Sequence, residues 1–128
     1  MYTHTLTTRY NDGEAVIEAV SSQQADGAVG FDGTIAGLAT DVEILVAFTL
    51  AKVKSLLIYA SAALTLYTNA TDGTGGDTIA VPAASSIVWA DDMLGAIPLT
   101  QNVTKFYANN AGAAGATLKI RALVDSTP

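Results

Sequence analysis

Cysteine is absent from this sequence, and histidine occurs once, as His4. The first absence excludes disulfides, thiolate metal sites and cysteine nucleophiles, and it fits assembly in a reducing cytosol. The second leaves very little for general acid–base chemistry. Charge is also scarce: charged residues make up 14% of the chain, against about 25% in an ordinary globular domain. The six basic residues, Arg9, Lys52, Lys54, Lys105, Lys119 and Arg121, are scattered, and the net charge is −6. Nucleic-acid binding and attraction to an anionic membrane both need a basic cluster, so neither partner is expected. Long apolar runs are missing too. The longest, Leu56–Leu64, is interrupted by Ser61 and is far short of the ~20 residues that cross a bilayer. The first ten residues show no apolar signal region.

What is present is hydrophobicity, at half of all residues. That is too much for a disordered chain, and a lightly charged surface suits a subunit of a larger assembly. The length fits one domain with a core that needs no staple. We find no repeat and no linker, so residues 1–128 read as a single domain, with 1–11 a candidate N-terminal edge or exchanged strand.

Period-two alternation recurs along the chain. In Met1–Asn11, Tyr2, His4, Leu6, Thr8 and Tyr10 share one face and Thr3, Thr5, Thr7 and Arg9 the other. Asn11-Asp12-Gly13 is a turn signal, which favours a strand over a helix for Glu14–Ser21 and a hairpin with the first strand. Further strands are predicted at Val29–Ile35, Val42–Leu50, Val53–Tyr59, Leu64–Thr68, Thr78–Val81, Ile87–Trp89, Lys105–Asn109 and Thr117–Val124. Val53–Tyr59 is apolar on both faces and should be covered on both sides. In the last strand Lys119 and Arg121 should face outward. Helices of the length that marks a parallel α/β sheet are lacking. The expected fold is therefore all-β, a single-domain antiparallel β-sandwich, jelly-roll-like. Ala90–Asn102 is unusually apolar for a connection and should either pack under a sheet edge or meet a partner. Asn110–Ala116 is an Ala-Gly turn.

Candidate chemistry is thin. His4 could serve a Ser-His-Asp triad, but no Gly-x-Ser-x-Gly elbow accompanies it, and a half-buried or interface histidine is the plainer reading. Glu14 and Glu18 share a strand face as a carboxylate pair, yet exposed carboxylates on a strand are common. Asp72 and Asp77 flank a glycine-rich loop whose oxygens could hold calcium, although the spacing matches neither the EF-hand nor the glycine-rich nonapeptide pattern and lacks the P-loop lysine. Trp89, Tyr59, Tyr67 and Tyr107 could stack on sugars, but aromatics in sandwiches more often fill cores or interfaces. Asn69-Ala70-Thr71 and Asn102-Val103-Thr104 match the glycosylation sequon by coincidence. No catalytic residue and no cofactor is expected.

One resemblance covers most of the chain. Val53-Lys54-Ser55-Leu56, Leu66-Tyr67-Thr68-Asn69 running to Asp77-Thr78-Ile79, Val88-Trp89, Pro98-Leu99, Val103-Thr104 with Tyr107 and Asn109, and Leu118–Leu123 ending at Thr127-Pro128 together resemble a family of small virion proteins of tailed bacteriophages. The resemblance implies a non-enzymatic structural part of the virion, assembled in the cytoplasm of a host bacterium. A capsid decoration (cement) protein that stabilises the mature head is the first expectation. A tail- or connector-associated protein, or a carbohydrate-binding module, is the alternative. The partners it implies are the major capsid protein or other virion proteins, with homo-oligomers on the particle. Tyr2, His4, Leu6, Trp89, Met93 and Leu94 are the interface candidates.

Overall fold

Among the described residues ten strands follow one another: β1 Tyr2–Asn11, β2 Val16–Ala25, β3 Gly27–Ile35, β4 Val42–Ile44, β5 Val53–Ala60, β6 Leu64–Thr68, β7 Thr78–Val81, β8 Ser85–Ala90, β9 Phe106–Asn109 and β10 Ala116–Val124. The structure is a computed structural model that describes residues 2–11, 13, 16–25, 27–72, 74–92 and 96–125, with the backbone alone at 6, 8–11 and 16–25. Among the described residues there is no α-helix, and one 3-10 turn, Leu50–Lys52, leads into β5.

All ladders are antiparallel, and the pairing from β3 onward is nested: β6 with β7, β5 with β8, β4 with β9 and β3 with β10. Two further ladders, β5 with β10 and β6 with β9, gather these pairs into sheets of order β3-β10-β5-β8 and β4-β9-β6-β7. The inner faces meet in one core. Ile35, Leu56, Ile58, Leu118 and Ile120 come from the first sheet; Ile44, Leu66, Val81 and Phe106 come from the second, and all are essentially inaccessible. Alternate positions on the same strands face away, as period-two patterning requires. The all-β expectation and the two-layer arrangement are therefore met.

Val42–Leu50 departs from expectation. Its burial alternates through Phe48, but the ladder stops at Ile44. The Val46 N–H donates to the Ile44 carbonyl at 3.0 Å, a tight kink that turns Leu45 outward and takes the chain off β9. Phe48 regains a partner only through a bridge to Val103. The chain must cross to the other sheet here, so a continuous strand would have held it on the wrong layer. The apolar Ala90–Asn102 connection resolves in part: Leu99 is buried in the core and Ile97 packs against it. Met93 and Leu94 lie outside the described residues.

The Ala-Gly turn is ordered by one buried amide. Asn110 Nδ2 donates to the Ile35 carbonyl at 3.1 Å and to the Ala114 carbonyl at 2.9 Å, while its Oδ1 accepts the Gly112 N–H at 3.0 Å. The facing loop is joined to it by the Leu38 N–H on the Gly112 carbonyl and the Asn110 N–H on the Ala39 carbonyl, both 2.8 Å. The loops approach so closely that a Cβ at Gly37 would collide with the Ala113 carbonyl. Leu38, next to it, is 69% exposed and takes φ of 62°, which L-residues rarely adopt.

Two stability predictions follow from these contacts. Phe106→Ala should lower the unfolding free energy by about 3–5 kcal/mol in denaturant titration, the usual cost of emptying a fully buried aromatic site. Leu38→Gly should raise it by roughly 1 kcal/mol by relieving the left-handed backbone; an unchanged or lower midpoint would show that Leu38 carries no such strain.

Candidate functional site

β1 and β2 form a two-stranded ribbon outside both four-stranded sheets, paired from Tyr2 with Ala25 to Asn11 with Val16. This meets the expected hairpin and makes it an N-terminal arm. The arm packs on the outer face of the first sheet, against β5 and β10. That face is apolar beneath it. Leu123 and Ala90 point away from the core and are nonetheless fully buried, and Ser55, opposite both in the register, is buried between them. β5 is thus covered on its second face at Ser55, as its doubly apolar sequence requires.

The contact is centred on His4. Its Nδ1 lies 2.7 Å from Ser55 Oγ, a hydrogen bond in which either partner can donate, depending on the neutral tautomer. Burial, and secondarily the Arg121 guanidinium, hold the imidazole below its ordinary value. Arg121, expected to face outward, is half-buried: it donates to the Phe31 and Ile120 carbonyls at 2.8 and 2.9 Å and pairs with Asp32 at 3.5 Å. Beside His4 a groove of about 340 Å³ opens between the arm and β5/β8, lined by Thr3, Thr5, Leu57 and Val88 among others.

A serine bonded to a histidine invites comparison with a hydrolase, but the chemistry points elsewhere. In a triad an acid orients the histidine and raises its basicity; among the described residues the charge acting on His4 is a cation, which lowers it. Ser55 also sits mid-strand with ladders on both sides, which commits the surrounding amides that an oxyanion would need. The arrangement fastens the arm to the sheet. Sequence patterning placed His4 on the correct face of β1 but gave no sign of Ser55, because a small hydroxyl inside an apolar strand carries no signal of its partner.

The other candidates disperse. Tyr2 is 53% exposed at the start of the arm. Leu6 has a described backbone in β1 only, and Glu14 lies outside the described residues. Trp89 holds the core-facing register position opposite Leu56 and is half-buried against the core, so it is no free stacking platform. Asp72 and Asp77 turn to different partners. Asp72 Oδ1 accepts the Thr74 N–H at 2.9 Å, which lowers its carboxyl value. Asp77 accepts the Thr100 N–H at 2.9 Å and the Thr100 hydroxyl at 2.7 Å. Among the described residues no three metal-ligating side chains gather. Asn69, read from sequence only as a sequon, holds the same loops: its Oδ1 accepts the Thr104 N–H at 2.8 Å and its Nδ2 donates to the Asn102 carbonyl at 2.9 Å.

His4 gives a pH prediction. A folded value below the unfolded one means that the undocked chain binds the proton more tightly. The docking contribution is therefore complete above about pH 6.5 and is lost as pH falls from there through the folded value. NMR titration of this single histidine should give a midpoint below 6.5, and a midpoint at or above it would contradict the assignment. Ser55→Ala should destabilise arm docking by about 1 kcal/mol, read as faster amide exchange in residues 2–11 with core amides unchanged.

No protein-family model, no curated protein and no solved structure matches the chain.

Proposed function

We propose that the chain is a non-enzymatic structural protein of a bacteriophage virion, a capsid decoration protein that stabilises the mature head. The observation that carries this reading is the combination of a closed-core sandwich with an arm outside both sheets. A sandwich supplies a rigid body, and an arm with a free strand edge supplies the means of joining neighbours. The sequence resemblance to small virion proteins points the same way, as does the low density of surface charge. Decoration proteins act by binding the mature shell in preference to its precursor, which shifts stability by mass action.

The nested strand order further supports reading the sandwich as a jelly roll. That architecture is a hairpin of four antiparallel pairs rolled into two four-stranded sheets, and it occurs in viral capsid and lectin domains. The lectin precedent keeps a second reading open on one observation. Tyr67 and Tyr107 lie directly opposite each other on the outer face of the second sheet, half-buried, with the Lys105 ammonium 5.9 Å from the Tyr107 ring centre. Paired rings on a flat face can stack on sugar. Trp89, packed half-buried against the core, does not join them.

Co-sedimentation with mature capsids stripped of decoration separates the readings. Saturable binding at a fixed ratio to capsid subunits is expected. A folded protein that fails to bind would sink the decoration role and move the assignment to the tail or connector. Binding on a glycan array that Tyr107→Ala abolishes would establish the sugar-binding reading instead.

A further inference from the structure

β1 makes one ladder, to β2, and among the described residues its other edge makes none. It is ten residues long, about twice the usual strand. Exposed edges are normally guarded by proline, lysine or other charge, but Tyr2–Asn11 contains neither proline nor lysine, and its only charge is Arg9.

The sequence of this edge also reads almost the same in both directions about Leu6. Thr5 mirrors Thr7, and Tyr2 mirrors Tyr10; His4 falls against Thr8, and Thr3 against Arg9. We propose that β1 pairs antiparallel with β1 of a second copy about a two-fold axis through Leu6, giving a four-stranded sheet of order β2-β1-β1-β2. In that register aromatic meets aromatic, threonine meets threonine, and no like charges oppose, which are the favourable cross-strand combinations. A two-fold pairing is self-complementary and closes, so it consumes the unguarded edge without starting a fibre. β2 lacks this symmetry. Reversed on itself, Val16-Ile17-Glu18-Ala19-Val20 would lie against Ser21-Ser22-Gln23-Gln24-Ala25, apolar largely against polar. The pairing rests on β1 alone and is independent of the virion reading.

The test uses the full chain in sedimentation velocity across a concentration series. The wild type should show a reversible dimer. Leu6→Lys sets two lysines opposite each other at the axis while leaving only Ser21 opposite within the arm. It should weaken the dimer by about tenfold or more, with core amide exchange unchanged to show that the sandwich is folded. The cysteine-free background allows a register check. Leu6→Cys should form a disulfide-linked dimer on mild oxidation, whereas Thr3→Cys, placed opposite Arg9, should not. A wild type that stays monomeric at all concentrations overturns the proposal. So does a dimer indifferent to Leu6→Lys, or equal cross-linking at positions 3 and 6.

Discussion

The central pair β5 and β10 has two faces to bury, and most of the architecture answers to that requirement. Both strands are interior to the first sheet, and both carry apolar residues at successive positions, Leu56-Leu57-Ile58 in one and Ala122-Leu123 in the other. A single opposing sheet can cover only one side. The second sheet covers Leu56, Ile58, Leu118 and Ile120; the arm covers Leu123, Ala90 and Ser55 on the other. The molecule is thus a sandwich with part of a third layer, and that layer exists because the central strands are too apolar for a solvated outer face.

The two coverings differ in kind. The inner interface is continuous and contains fully buried aliphatic and aromatic residues from seven strands, with Ile87 and Trp89 of β8 half-buried against them. The outer contact combines a small apolar patch with a neutral hydrogen bond between His4 and Ser55, beside a cation that opposes protonation of the ring. Local opening free energies span a wide range within one protein, and the arm belongs at the low end.

The strands of the sandwich were legible because they alternate and face one core. Leu64–Thr68 and Thr78–Val81 have the predicted bounds, and Thr117–Val124 is shifted at its start by one residue. Val42–Leu50 shows the limit of periodicity. Alternation reports which residues turn inward, and that was right through Phe48, but it does not report where hydrogen bonds stop, and the kink at Leu45 ended the ladder. The loop supports were invisible for a different reason. Asn69, Asp77 and Asn110 act through side-chain bonds to backbone groups 2 to 75 residues away, and a lone Asn or Asp in a loop looks the same whether it is solvated or holding two loops together. The glycine-rich stretch around Asp72 was read as a possible ion site for the same reason: carboxylates announce oxygen donors, not the backbone N–H groups they already accept.

The site was half legible. His4 drew attention as the sole imidazole, and its face followed from the alternation of β1. Its partner did not, because Ser55 precedes a run of leucines where a hydroxyl reads as noise. Yet the placement has a physical reason. A half-buried imidazole packed on an apolar face gains from a polar partner, and the outer face of β5 offers one between Lys54 and Leu56. A leucine at that position would cover the sheet as well or better but would leave the ring nitrogen unsatisfied. The serine gives up apolar contact to fix where along the sheet the arm sits. An apolar patch alone would hold the arm without setting its position, and the hydrogen bond sets it. In this protein the core determines stability and the polar pair determines the placement of the arm, which in turn determines what the free edge of β1 can meet.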